Sequence, residues 1–272
     1  MKELNGGELA GFIKERQAKQ VRTLRQSHKI SPKLAIIRTN PDPIVDSYMR
    51  LKQNYGADIG VEVDVHTIDQ SEATRLINSL NKNNDVHGVI VQIPLPDKSQ
   101  TSEVLDSVTP VKDVDALGKN AIYDPATPMA ISWLLAGYNV NFTDKQVVIV
   151  GHGRLVGRPL AKMWLQSGYN IHVVNKKVNN LTEEVQKADI LICATGVPGL
   201  ITKDMIKEKA VVVDAGVATD SNGLVGDVAE EVRNLPNITI TPVKGGVGPL
   251  TVCALFENVI RATRAQMSTS NL

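Results

Sequence analysis

The chain has 272 residues, enough for two compact domains, each with its own core. Its 30 basic and 29 acidic side chains nearly cancel, which removes the bulk electrostatic case for a nucleic acid or an anionic membrane and leaves a small molecule as the default partner. Two cysteines, Cys193 and Cys253, lie in apolar surroundings and read as buried thiols, not as a disulfide framework; no window approaches the ~18 apolar residues of a membrane span.

The opening stretch MKELNGGELAGFIKERQ is polar with helical periodicity and lacks the apolar core of a signal peptide, so a cytoplasmic protein is expected. KLAIIR (33–38), a helix from about Asp42, VEVDVHTI (61–68), a helix near 71–84 and HGVIVQI (87–93) then alternate as a βαβαβ series. Asp42 reads as the N-cap of its helix, with Pro43 in the first turn. Residues 93–118, rich in proline and polar side chains, read as a loop with one short helix. From Thr127 a second series follows: helix TPMAISWLLAGY, strand QVVIV, helix from Val156, strand NIHVV, helix from Leu181, and strands ADILICA and AVVVDAG. A glycine-rich loop, TPVKGGVGPLT (241–251), leads to a last helix from Val252 to about Gln266. The expected fold is α/β, with two αβ domains flanking a cleft. Residues 126–249 form a Rossmann-type doubly wound parallel sheet, and residues 1–125 plus 250–272 form the other domain, to which the last helix returns. The cleft is the natural site.

The segment QVVIVGHGRLVGRPL (146–160) carries the first chemistry. A glycine turn directly after a strand lets backbone N–H groups and a helix N-terminus face a pyrophosphate, and Gly151, Gly153 and Gly157 are spaced for it. The spacing is GxGxxxG, with Val156 where the commoner fingerprint has its third glycine. About 20 residues on, where an NAD enzyme offers an acid to the ribose, stand Asn175, Lys176 and Lys177. Two lysines attract a 2′-phosphate and point to NADP, with NAD as the alternative; the plainer reading leaves both as solvated surface lysines.

Tyr48 and Lys52 lie one helical turn apart on one face. The pair also marks short-chain dehydrogenases, but there it follows the glycine motif within one domain, whereas here it precedes it by about a hundred residues. Taken alone, a solvent-facing Lys52 beside a packed Tyr48 explains it more simply.

Three further segments, VQIPLP (91–96), PVKDVDALG (110–118) and PVKGGVGPLT (242–251), are all predicted to lie in loops. Together with the Tyr48/Lys52 helix and VGHGRLVGRP, in this order, they resemble the bifunctional methylenetetrahydrofolate dehydrogenase/methenyltetrahydrofolate cyclohydrolase family over essentially the whole chain. The resemblance implies oxidation of 5,10-methylenetetrahydrofolate with NADP and hydrolysis of the methenyl product to 10-formyltetrahydrofolate. It implies Lys52 as the catalytic lysine, Tyr48 packing beside the folate, Gln92 tuning the lysine and Asp115 gripping the pterin. Gly245, Gly246 and Pro249 match the loop closing over the substrate. Gly151, His152, Gly153, Val156, Gly157, Lys176 and Thr195 fall at the cofactor. No metal is expected, tetrahydrofolate derivatives are the partners, and a homodimer is implied.

Several positions depart from the family pattern. Val45 stands in place of a serine one turn before the tyrosine, Ala116 in place of a glycine, and Ala126 in place of a cysteine. His152 and Gly153 replace Arg-Ser, and Lys244 replaces a proline. If position 116 has positive φ, alanine strains the loop. These departures also motivate a second reading, a divergent paralogue that binds folate or nucleotide as a sensor and has lost one or both activities.

Overall fold

The computed structural model describes residues 1–41, 43–220 and 223–269. The chain divides into two compact units, Met1–Ala10 with Thr127–Thr251, and Gly11–Ala126 with Val252–Leu272. It opens on a strand, β1 (Lys2–Glu3), and a helix, α1 (Gly6–His28). There follow β2 (Lys33–Arg38), α2 (Pro43–Ile59), β3 (Glu62–Thr67), α3 (Ala73–Lys82) and β4 (Gly88–Val91), the expected βαβαβ series. Helix α4 (Thr101–Asp106) is the short helix anticipated within 93–118. Next come α5 (Ala126–Gly137), β5 (Val147–Val150), α6 (Gly157–Gln166), β6 (Ile171–Val174), α7 (Leu181–Gln186), β7 (Ile190–Cys193) and β8 (Val211–Asp214). A short antiparallel hairpin, β9 (Ala218–Asp220) with β10 (Gly223–Val225), precedes β11 (Thr239–Ile240) and the last helix, α8 (Val247–Thr269). The proposed N-cap Asp42 lies outside the described residues; Pro43 is the first residue of α2.

In the unit containing Gly11–Ala126, three parallel strands run in the order β3-β2-β4. Central β2 buries Leu34, Ala35, Ile36 and Ile37 in succession, because a strand covered on both faces has no solvent side to alternate toward. Helix α3 covers one face with Ala73, Ile77 and Leu80, spaced four and three apart. Its C-terminus is closed by a buried lysine, since Lys112 Nζ donates to Leu80 O at 2.9 Å and Asn83 O at 2.6 Å. The last helix returns to this unit, as expected. Leu255, Phe256, Val259 and Ile260 are buried, and Gln17 of α1 donates from Nε2 to Cys253 O at 2.9 Å. Each such apolar side chain contributes about 1.5–3 kcal/mol by leaving water, so this docking is a large part of the unit's core. Cys193 and Cys253 are both buried, and neither is in a disulfide.

The other unit holds a six-stranded, wholly parallel sheet in the order β1-β11-β8-β7-β5-β6. The alternation of strand and helix gives the doubly wound arrangement. Strands β1 and β11, two residues each, complete one edge, and neither is foreshadowed in the sequence. One boundary differs from expectation: α8 starts at Val247, five residues before Val252, so Gly248, Pro249, Leu250 and Thr251 are helical, not loop. Proline is tolerated there because the first turn needs no N–H from it. Among the described residues, no helix is long and apolar enough to cross a membrane.

Candidate active site

Lys52 sits in the third turn of α2 and Gln92 directly follows β4; Gln92 is fixed in the sheet by its own N–H, which donates to Ile37 O at 2.9 Å. The two side chains meet, Lys52 Nζ donating to Gln92 Oε1 at 3.1 Å. Gln92 Nε2 donates to Ile93 O at 3.2 Å, which turns the amide so that its oxygen, the only acceptor it has, faces the lysine. Burial pulls the ammonium of Lys52 below its ordinary value, and the nearby Asp115 carboxylate opposes that shift. Asp115 is pushed up by burial and drawn back by Lys52. An amine nearer neutrality, held by one amide and facing one acid, can take and return a proton. Tyr48, one turn earlier on α2, is 37% exposed, and burial of its inner part raises its hydroxyl.

Asp115 is presented by a tight turn whose organiser the sequence does not reveal. Asp113, buried, accepts from Gly118 N at 2.9 Å and Leu117 N at 3.4 Å, and the Val89 N–H donates to Lys112 O at 2.8 Å. Between these anchors Ala116 adopts φ +57°, so the strain anticipated for alanine at this position is real. Val45 is buried. Its apolar side chain suits that environment but brings no hydroxyl.

In the six-stranded unit the glycine turn follows β5. Gly151 has φ +109°, and a Cβ there would lie 2.3 Å from Ala194 O; a Cβ at Gly157 would lie 2.0 Å from Gly151 O. These two positions require glycine. Gly153 does not, since nothing lies within 4 Å of the place its Cβ would take. Val156 occupies the N-cap of α6 and contributes no capping hydrogen bond, Arg158 N–H is taken by Gly153 O at 3.1 Å, and Pro159 has no N–H. The result is a helix start facing open space beside a backbone turn, the cradle a pyrophosphate needs. His152 and Gly153 are exposed on its rim. At the end of neighbouring β6, Asn175 Oδ1 accepts from Lys177 N at 2.9 Å, a turn that leaves Lys176 and Lys177 exposed. Thr195, after β7, lies against the glycine turn, its N 3.1 Å from the Cβ position of Gly151.

Gly245 has φ +86°, and its carbonyl accepts from Gly7 N at 3.0 Å. A Cβ on Gly6 would fall 1.8 Å from Gly246 O, so the GG pair near the N-terminus and the GG pair before α8 are fitted to each other. Pro249 lies within the first turn of α8, and Lys244 is exposed. A cavity of about 700 Å³ in this unit is lined by Phe142, Gln146, Tyr169, Asn170 and Asp189, at the amino ends of the strands. It is therefore at the wrong end of the sheet for a dinucleotide, which binds beyond the carboxyl ends.

A parallel doubly wound sheet carrying this turn, in one chain with a lysine tuned by burial, an amide and an acid, defines a dinucleotide-dependent α/β enzyme. The comparisons narrow the class. The profile of the tetrahydrofolate dehydrogenase/cyclohydrolase NAD(P)-binding domain matches residues 125–267, and that of the catalytic domain of the same family matches residues 4–115. The bifunctional protein FolD of a Nitratiruptor species is 34% identical, covering 97% of this chain and 98% of its own. The crystal structure of the bifunctional methylenetetrahydrofolate dehydrogenase/cyclohydrolase FolD from Campylobacter jejuni superposes with a TM-score of 0.91 at 34% identity, over 97% and 99% of the two chains. That of the Trypanosoma brucei enzyme, complexed with NADP cofactor and inhibitor, gives 0.89 at 29% identity, over 97% of each. The chain belongs to the tetrahydrofolate dehydrogenase/cyclohydrolase family, an enzyme family of folate one-carbon metabolism with methylenetetrahydrofolate dehydrogenase and methenyltetrahydrofolate cyclohydrolase activities.

Proposed function

We propose that this chain carries out both family reactions with NADP, using Lys52 to handle protons, Gln92 to orient it, and Tyr48 and Asp115 to hold the folate. The observation that carries the reading is the Lys52–Gln92 hydrogen bond, with the amide anchored at Ile93 and the amine within range of Asp115. In the hydrolytic step, water adds to the methenyl carbon and neutral Lys52 takes one of its protons; the resulting ammonium returns that proton to the ring nitrogen as the carbon–nitrogen bond breaks, and the remaining hydroxyl proton leaves to solvent as the formyl C=O forms. Asp115 offers an acceptor to the donor-rich pterin edge, and Tyr48 offers a face against which the ring packs.

Gly151, Gly153, Val156, Gly157 and Thr195 would hold the dinucleotide, His152 and Lys176 lying at its phosphates. A bound nicotinamide would supply the hydride acceptor for the methylene bridge, chemistry that asks the protein for geometry more than for an acid or base. The absence of an acid at 175–177 and the exposure of Lys176 and Lys177 favour a 2′-phosphate, hence NADP over NAD. The NADP complex of the Trypanosoma brucei relative supports the same choice. Gly245 and Gly246, in the loop before α8, and Pro249, in its first turn, would close over the substrate. The unit of Gly11–Ala126 with Val252–Leu272 would serve as the folate domain and the unit of Met1–Ala10 with Thr127–Thr251 as the cofactor domain of a cytoplasmic homodimer, the first ten residues falling on the other side from the sequence-based bounds.

The test is a coupled assay with 5,10-methylenetetrahydrofolate, run in parallel with NADP and NAD and followed at the methenyl and reduced-nicotinamide absorbance bands. Turnover with NADP and weaker turnover with NAD are expected. Folded protein that turns over with neither has no dehydrogenase activity. Val45, Ala116, His152 and Lys244 motivate the sensor reading, which predicts calorimetric binding of folate or nucleotide without any turnover.

A further inference from the structure

We infer that Asp227 is a positioning residue for the dinucleotide site, acting through the backbone N–H of Thr195, with Asp214 holding Asp227 in place. The inference rests on the dinucleotide reading of the glycine turn given above. Asp227 follows the β9–β10 hairpin and is 1% exposed. Its Oδ2 accepts from Thr195 N at 2.5 Å, directly after Ala194, whose carbonyl is what forbids a side chain at Gly151. The wall on which the glycine turn rests is thus pinned by one carboxylate, and the chain of contact runs from Asp227 through Thr195 and Ala194 to Gly151.

Asp214, at the end of β8, secures the other side. Its Oδ1 accepts from Asp227 N at 3.0 Å and Gly216 N at 3.1 Å, and its Oδ2 accepts from Val228 N at 3.1 Å. The two acids are interlocked through glycines. A Cβ at Gly216 would lie 2.0 Å from Asp227 Oδ1, and one at Gly226 would lie 2.0 Å from Asp214 Oδ2. Neither glycine has a positive φ, so both are glycines because the opposite carboxylate occupies the space. Asp227 Oδ1 is buried and finds no hydrogen-bond partner among the described residues, so the carboxylate's hydrogen bonding there runs through Oδ2 to Thr195. Arg233 lies 4.0 Å from Asp214 Oδ2, too far for a strong pair.

The test compares Asp227→Ala and Asp227→Asn with wild type in the full chain, measuring calorimetric Kd for NADP, KM for NADP, and hydrolysis of preformed 5,10-methenyltetrahydrofolate without nucleotide. Losing a hydrogen bond to a carboxylate should weaken NADP by roughly tenfold or more in Asp227→Ala, with hydrolysis within about twofold of wild type. Asp227→Asn, whose amide oxygen still accepts from Thr195, should return Kd to within about threefold. Unchanged Kd in folded Asp227→Ala, equal loss of NADP binding and hydrolysis, or no rescue by asparagine would each overturn the inference. Should Asp227→Ala fail to fold by circular dichroism, Gly216→Ala replaces it: its methyl displaces Oδ1, weaker NADP binding is again expected, and unchanged Kd is again fatal. Wild type that binds neither NADP nor NAD overturns the dinucleotide reading itself, and the inference with it.

Discussion

Replacing Lys52 by methionine keeps the length and apolar stem of the side chain and removes only its amine. A positioned general acid–base group contributes typically 10²–10⁴-fold, which corresponds to about 3–5 kcal/mol of barrier. Hydrolysis of methenyltetrahydrofolate should fall by that amount, whereas hydride transfer, which rests on geometry, should stay within about tenfold. Stability moves the other way. The folded-state pKa of Lys52 lies below its unfolded value of 10.5, so the unfolded chain binds more protons between the two, and wild-type stability rises with pH across that window. The penalty for the buried ammonium is fully present below the folded value and gone above about 10.5. Methionine removes the penalty. The lost hydrogen bond is a part-buried one at a half-buried glutamine, so desolvation relief outweighs it. Thermal melts should therefore place Lys52→Met at or above wild type at pH 7, the difference narrowing as pH climbs. Equal loss of both activities would mean that Lys52 only positions substrate, and a stability gap that widens with pH would refute the electrostatic argument.

Ala116→Gly should raise the urea midpoint, by the equivalent of roughly 0.5–1 kcal/mol, because it releases alanine from φ +57°; a lowered midpoint would show that the loop gains more from alanine's smaller unfolded-state entropy. Gly157→Ala and Gly153→Ala form a matched pair. The first drives a methyl to within 2.0 Å of Gly151 O and should lower thermal stability as well as abolish measurable NADP binding, while the second meets no protein atom within 4 Å and should leave thermal stability of the ligand-free protein unchanged. Lys176→Glu should raise KM for NADP by roughly tenfold while leaving NAD unaffected, since only a 2′-phosphate senses that charge; parallel changes for both cofactors would remove Lys176 from the discriminating position.

Both parallel sheets can be read from the sequence because their central strands are unbroken aliphatic runs, such as Leu34–Ile37 and Val147–Val150, flanked by amphipathic stretches. Lys2–Glu3 and Thr239–Ile240 cannot. Two residues carry no periodicity, and they are strands only because they continue a sheet built by others. The start of α8 is misplaced by the sequence for a related reason. Glycine and proline at 245–249 read as loop residues, yet Pro249 falls where a helix tolerates it and Gly245 alone supplies the positive φ. At the site, the Lys52, Gln92 and Asp115 trio is legible only through its motifs, as the spacing of residues 52, 92 and 115 says nothing about their meeting. Asp113, Asp214 and Asp227 are invisible as organisers, because a carboxylate that gathers backbone N–H groups from its own loop or the next has no signature in spacing. The Gly216 and Gly226 neighbours of the latter two are a signal, but its meaning needs coordinates.

Apart from Ala116, the positions read as departing from the family pattern fall where the backbone does not depend on them. At the glycine turn, steric necessity rests on Gly151 and Gly157, both retained, whereas His152 and Gly153 face open space. At the acid-bearing loop, Ala116 is strained, but its geometry is over-determined by the hydrogen bonds Asp113 accepts and by the two carbonyls at the end of α3 that Lys112 holds. A cost of about 1–2 kcal/mol for one alanine in the left-handed region is small against that set of anchors. Lys244 projects from the surface beside Gly245 without altering the contact between Gly7 and Gly245. On the proposed site, the departures would therefore change side chains offered to the ligands and leave in place the scaffold that aims them. On that ground they should act on Kd and KM, where charge and hydrogen bonding at the phosphates are felt, and much less on the ability of Lys52 and Gln92 to come together.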